Sequence, residues 1–248
     1  MEGNLLKVDP RYYKLIKSLN IKTTKSGKYV NDPYNVLYMF EKNELKILDK
    51  NNESIGIKDL IKILNIDVIK YSVFRYFKRR GFEIEENDHL VIKKNDFKSD
   101  VYIKRPYENV KLNFSGILAL VDDYLETTFY SFENIDLKGE NFNIEEKDNL
   151  FGDKPNILDR DMKIVHDSLI RNGISLKSGM KFGCEFLGYI RPEDEHSKYM
   201  IKIVREGMTY IESAGLARVA HATKKSLILI KVKNDKIENY KTMEWIKI

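Results

Sequence analysis

Apolar residues recur along this chain at two spacings, and each spacing predicts a different element. Ile57, Leu60, Ile61 and Leu64 stand at i, i+3, i+4 and i+7, which lines one face of a helix over Gly56 to Leu64. Earlier in the chain, Asp32-Pro33 offers an N-cap with proline at the first helical position. The segment YNVLYMFEKNEL continues that helix, with Val36, Leu37, Met39 and Phe40 able to share a buried face. A third helix is predicted from Val68 through IKYSVFRYFKRR, stopping at Gly81, with a cationic last turn (Lys78, Arg79, Arg80) that suits the helix dipole. At the N-terminal side, Leu5 to Leu19 reads as a short element of mixed spacing, and the Ser-Gly chemistry of Ile21 to Asp32 reads as strand-turn-strand. The pieces up to Leu64 together predict an N-terminal α/β domain over residues 1–66.

Beyond Gly81 the spacing changes to alternation. FEIEE reads as a strand, and LVIKK and DVYIKR within residues 90–107 read as a small sheet. Leu118 to Phe132 is predicted as a helix or a helix running into a strand, two readings that periodicity leaves open. Leu158 to Arg171 is again helical, closed by Asn172-Gly173 and followed by the strand ISLKSG. The order helix, RRG or RNG, strand therefore occurs twice, and aligning Gly81 with Gly173 sets Phe77 on Leu169 and Val73 on Val165. A duplicated unit is the preferred account, over residues 67–155 and 157–248. The fold class is mixed α/β (α+β), with a central mixed sheet. The second copy continues into KFGCEF, LGY, HSKYMIKIV, a helix SAGLARVAHATKKS and a strand LILIKV. The first has no His-Ser pair and no Lys-Lys helix at the matching places.

Composition narrows the functional classes. The chain has 248 residues, 42% hydrophobic and 33% charged, with 13 Gly and 5 Pro, which suits packed units with little linker. No apolar run approaches the ~18 residues of a membrane span, and MEGNLLKVDP lacks the apolar core of a signal peptide, so the expectation is a cytoplasmic protein. The lone Cys184 has no intrachain disulfide partner, and the four histidines, His89, His166, His196 and His221, lack the spacing of a metal site. Neither a metal nor a cofactor is expected.

Net charge is +5, and from Asp161 onward 16 Lys/Arg stand against 11 Asp/Glu, so the whole excess lies in the C-terminal part. Glu133 to Asp161 carries 9 acidic and 4 basic residues. This acidic segment reads either as a solvated loop between two units or as an element that docks on a basic surface of a partner subunit.

Chemistry-bearing residue types concentrate between Lys181 and Ser226. Lys181, Phe182, Gly183, Glu185, Phe186 and Tyr189 are followed by His196, Ser197 and Tyr199, and then by Arg218, Ala220, His221 and Lys225. These three blocks, in this order, resemble the catalytic half of the archaeal tRNA-splicing endonuclease family, K-[FY]-G-x-[DE]-F-x-x-Y, H-S-x-Y and R-x-A-H-x-x-x-K. The likeness covers roughly the last ninety residues well. Residues 1–155 look more weakly like the family's N-terminal domain and a degenerate nuclease copy.

The resemblance implies cleavage of precursor tRNA at its intron junctions, without metal, leaving a 2′,3′-cyclic phosphate and a 5′-hydroxyl. It implies Tyr189 as general base on the 2′-hydroxyl, a phenol needing help from nearby positive charge, and His196 as the acid for the departing 5′-oxygen. Lys225 would stabilise the transition-state charge, with Lys224 as the fallback, because the ungapped register sets Lys225 on the family's catalytic lysine. Arg218, about two helical turns before Lys225 and so able to share its helix face, is implied to clasp an unpaired base; a phosphate contact or a salt bridge to Glu212 is the alternative. Trp245 is implied as a second base-clasping residue, with core packing or a subunit contact as the alternative.

The implied assembly is a homodimer that pairs active and silent copies and docks the acidic segment of each subunit on the other. Two rivals stand beside this reading: a noncatalytic RNA-binding or structural subunit, and a metal-dependent nuclease. The second would need clustered carboxylates, which Glu185 and Asp194 do not supply as an obvious pair.

Overall fold

The computed structural model describes residues 6–7, 29–30, 32–45, 47, 54–140, 159–191 and 193–248. The chain divides into two units, Met1–Glu83 and Ile84–Ile248. In the first, β1 (Leu6–Lys7) pairs antiparallel with β2 (Tyr29–Val30). The rest of Leu5 to Val30 lies outside the described residues, so the predicted element over Leu5–Leu19 and most of the strand-turn-strand are not described. α1 (Pro33–Glu41) starts where predicted, because the Asp32 carboxylate accepts from the Asn35 N–H and proline occupies the first position. It packs on α2 (Ile57–Ile63) and α3 (Val68–Arg79) through Val36, Leu37, Met39 and the stacked rings of Tyr34, Tyr71 and Phe74. Phe40 is only half-buried.

The second unit is built on a ten-stranded mixed sheet, an α+β architecture. Its strands are β3 (Glu83–Glu86), β4 (Leu90–Lys94), β5 (Phe97–Lys104), β6 (Gly116–Val121), β7 (Thr127–Asn134), β8 (Ser175–Ser178), β9 (Phe186–Tyr189), β10 (Tyr199–Ile203), β11 (Ser226–Lys233) and β12 (Lys236–Ile246). Their spatial order is β3-β4-β5-β6-β7-β12-β11-β10-β9-β8, so β8 to β12 repeat the succession of β3 to β7 in mirror sequence about the central β7–β12 seam. Within each set the third and fourth strands are parallel, and the second–third and fourth–fifth pairs are antiparallel.

The helix predicted over Leu118 to Phe132 is not formed: these residues make the β6–β7 hairpin. Its turn explains the difference. Asp122 accepts from the Tyr124 and Glu126 amides, and Leu125 takes φ 62, so the DDYLE segment reverses the chain while six consecutive buried residues, GILALV, fill a central strand. The two helix stops match in detail. Gly81 (φ 79) donates to Lys78 and Phe82 to Phe77; Gly173 (φ 78) donates to Ile170 and Ile174 to Leu169.

Each face of the second unit's sheet has its own cover. α4 (Arg160–Arg171) lays Val165 and Leu169 against Phe186, Ile201, Ile228 and Ile230. α5 (Tyr210–Ala222) lays Ala214, Ala217 and Ala220 against Met200, Leu227, Leu229 and Met243. The first amides of α5 are satisfied by the β5–β6 crossover, with Tyr210 N–H donating to the Glu108 carbonyl and Ile211 N–H to that of Pro106.

Of the acidic segment, residues 133–140 and 159–161 are described. Leu137 is buried under α4, and Glu140 donates its N–H to the Ile190 carbonyl and pairs with Arg191. The acidic residues from 141 to 158 lie outside the described residues. No helix among the described residues is long and apolar enough to cross a membrane.

Candidate active site

Strand direction alone brings the three candidate catalytic residues to one end of the sheet. β9 runs antiparallel to β10 with Gly188 opposite Tyr199, and β10 runs parallel to β11 with Tyr199 opposite Ser226. The C-terminal end of β9 and the N-terminal ends of β10 and β11 therefore lie in one row. Lys198 N–H donates to the Gly188 carbonyl at 2.9 Å, and Ser226 N–H to the Lys198 carbonyl at 3.0 Å, closing that row. Tyr189 follows Gly188, His196 sits on the bend just before Lys198, and Lys225 precedes Ser226. Two strand spacings, about 10 Å, separate the β9 and β11 ends, room for a ribose and its phosphate between them.

Each side chain has a distinct setting. The Tyr189 ring is buried against the α5 side of the sheet, with the Lys177 ammonium 4.6 Å from its centre, which supplies a cation beside the phenol. His196 is exposed, and its neighbour Ser197 is buried with a hydroxyl that has no hydrogen-bond partner among the described residues. Lys225 is half-buried; its ammonium donates to the Thr223 carbonyl at 3.3 Å and lies 5.7 Å from the Phe182 ring centre.

The helix that was predicted to carry Lys224 and Lys225 ends earlier, at Ala222. Lys225 N–H reaches back to the Ala220 carbonyl at 2.8 Å while Lys224 takes φ 55, so the chain reverses through a left-handed residue and delivers Lys225 to the start of β11. Lys225 and Arg218 therefore do not share a helix face.

Several motif residues prove to be scaffold. Gly183 adopts φ 76 after the single turn Met180–Phe182, which places Phe182 beneath Lys225. A Cβ on Gly179 would fall 2.5 Å from the Cys184 sulfur, and burial pushes the Cys184 thiol pKa up. Glu185 accepts from the Ile203 amide at 3.0 Å and pairs with Lys202 at 3.2 Å, tying β9 to β10.

A second cluster lies on α5 and β12. The exposed Arg218 guanidinium lies 5.4 Å from the Trp245 ring centre and beside the buried Tyr130, which is opposite Trp245 across the β7–β12 seam. Burial raises the Tyr130 pKa, and Arg218 opposes that rise. His221 meets Trp245 edge-on at 5.1 Å, and the Lys247 ammonium is 5.2 Å from the same ring. Glu212 is occupied elsewhere, in a capping box with Thr209, whose backbone and side-chain bonds hold its carboxyl below the usual range. Sequence reasoning did not single out Lys177, Phe182 as a platform, or Tyr130. Lys177 and Tyr130 come in from neighbouring strands and Phe182 from the turn between β8 and β9, relations that spacing along the chain does not carry.

Comparison with known proteins gives this constellation a context. Residues 159–240 match the family model described as tRNA intron endonuclease, catalytic C-terminal domain. Over most of its length the chain is similar to a tRNA-splicing endonuclease of Thermoplasma volcanium, 23% identical over 84% of this chain and 83% of that protein. A tRNA-splicing endonuclease of Picrophilus torridus is 24% identical over 88% of this chain and 87% of its own length. One from Pyrococcus horikoshii is 37% identical over 92 residues, which span 36% of this chain and 54% of that protein.

Proposed function

From the match of residues 159–240 to the catalytic C-terminal domain of the tRNA intron endonuclease family, we propose that this protein is an endoribonuclease that excises introns from precursor tRNA. The observation that carries the reading is the single row of strand ends holding Tyr189, His196 and Lys225 within the matched segment. Tyr189 takes the proton of the substrate's 2′-hydroxyl at the junction, and the 2′-oxygen attacks the adjacent phosphorus. The bond from phosphorus to the 5′-oxygen breaks, and His196 delivers a proton to that oxygen. The products are a 2′,3′-cyclic phosphate and a 5′-hydroxyl. Lys225 holds the extra negative charge of the five-coordinate phosphorus, and a preplaced ammonium in a partly desolvated site contributes several kcal/mol, roughly 10²–10³ in rate. These roles need neither a metal nor a cofactor.

Arg218 and Trp245 hold an unpaired base between guanidinium and ring, and Lys224 adds a phosphate contact. The strands β3 to β7 are a nuclease copy without the chemistry, and two chains pair so that two active sites face two junctions. The acidic segment of each chain docks on its partner, and the enzyme works in the cytoplasm.

Incubating the protein with precursor tRNA in excess chelator, and analysing the ends, tests this. Exon release with cyclic phosphate and 5′-hydroxyl ends is expected. No cleavage, or cleavage only after Mg²⁺ is restored, contradicts it.

A further inference from the structure

The half of the sheet without the catalytic row holds an open cavity of about 430 Å³, lined among others by Asp100, Tyr102, Phe114, Ser115, Asn134 and Lys241. Its place in the fold follows from strand register. Phe132 faces Gly116 in the β6–β7 hairpin as Met243 faces Leu227 in the β11–β12 hairpin, so Phe132 and Met243 are equivalent. Two residues on, Asn134 matches Trp245; two residues back, Tyr130 matches Lys241. Across the seam, Asn134 lies opposite Lys241 and Trp245 opposite Tyr130. The cavity is thus the counterpart of the Arg218–Trp245 cluster. On the catalytic side α5 covers Met200 and Met243; on the other the crossover of residues 105–115 contains no helix, and this space is left open.

What lines the space is unusual chemistry for a leftover. Lys241 is only 2% exposed, yet its ammonium meets a neutral partner, the Ser115 hydroxyl at 2.6 Å, and no carboxylate of the described residues lies within ion-pair distance. The one acidic side chain lining the cavity, Asp100, is bound to His89 at 3.1 Å. A desolvated cation with a hydroxyl beside it is a donor set lacking an anion. Burial accordingly lowers the Lys241 pKa, with the charge of Glu133 acting the other way.

Next to it four rings form a ladder, with centres 4.7 Å apart for His89–Tyr102, 4.5 Å for Tyr102–Phe114 and 4.7 Å for Phe114–Phe132. Tyr102 and Phe114 are half-buried and line the cavity. We propose that this cavity is a nucleotide subsite, taking a phosphoryl group at Lys241 and Ser115 and a base along the cavity-lining edges of the Tyr102 and Phe114 rings, whose faces the ladder fills. The nucleotide is either free or part of an RNA strand; the second source alone rests on the function proposed above.

Titrating the full-length protein with adenosine 5′-monophosphate and with a short single-stranded RNA, by calorimetry or NMR, tests the subsite. Millimolar or tighter binding is expected, weakened at least tenfold in Lys241→Met and severalfold in Ser115→Ala, and unchanged in Lys236→Ala, an exposed lysine at the start of β12. Should Lys241→Met fail to fold, Ser115→Ala carries the same test. Binding of the mononucleotide marks a free-nucleotide site, and binding of the oligonucleotide alone marks an RNA contact. No binding of either probe at 10 mM, or equal binding by wild type and the folded variants, overturns the proposal. Loss of tRNA cleavage with nucleotide binding intact would instead count against the proposed function only.

Discussion

The two halves of the ten-stranded sheet share a register and differ in what stands at one end of it. In one half Leu90, Val101 and Ile117 lie side by side; in the other Phe186, Ile201 and Ile228 do. Counting three residues along, Lys93 stands where Tyr189 does, and Phe114 where Lys225 does. Lys93 is ion-paired with Glu85 at 2.6 Å, and Phe114 is locked in the ring ladder. The bend that carries His196, residues 190–198, is replaced by the two-residue turn Asn95-Asp96. Five strands in this order are therefore a scaffold, and what distinguishes the halves is three side chains, one bend and the helix α5.

That difference can be broken at its strongest point first. His196→Ala should lower single-turnover cleavage of precursor tRNA by about 10²–10⁴, the contribution of a positioned acid, while Asp96→Ala in the equivalent turn should leave it unchanged. Equal effects would mean that the halves do not divide as described. A smaller effect is expected for the base clasp. Arg218→Ala removes the cation over Trp245 and should weaken RNA binding by about tenfold, the loss of 1–2 kcal/mol of cation–π and stacking contact, read as a rise in KM with kcat little changed.

The smallest effect concerns the cap that joins α4 to the site-bearing strands. Asp159 accepts from the Met162 amide and pairs with Arg205 at 2.9 Å, and these hold its pKa below the usual carboxylate value, the Met162 bond first. Asp159→Ala should cost about 1 kcal/mol, a fall of roughly 2–4 °C in Tm. Because the folded-state pKa is depressed, this contribution is present above the unfolded value of about 4 and is lost as pH falls through the folded value. The Tm gap between variant and wild type should therefore close below about pH 4, and a gap that persists there would assign the effect to packing.

Much of this was legible in the chain. The helix starts at Asp32-Pro33 and the paired stops at Gly81 and Gly173 are local chemistry, and local chemistry is written in adjacent residues. Tyr189, His196 and Lys225 were likewise found by motif, and strand direction then placed them in one row. Two features were not legible. GILALV reads alike as buried helix or central strand, and only pairing with β5 and β7 on both sides decides it. The end of α5 was set too late because Lys224 and Lys225 are good helix formers; the left-handed turn at Lys224 is imposed by the β11 pairing of Ser226, a tertiary demand that overrides propensity.

The central claim is that the lysine at the start of β11, and nothing in the other half, carries the transition-state charge. Single-turnover cleavage by Lys225→Ala, alongside Lys224→Gly and Lys93→Ala, tests it most directly. Glycine suits the left-handed conformation at position 224, so that variant should fold normally. The account predicts a loss of about 10²–10³ for Lys225→Ala, a near wild-type rate for Lys93→Ala, and for Lys224→Gly, which loses one phosphate contact, weaker RNA binding with the rate at saturating enzyme little changed; full activity in Lys225→Ala would contradict it.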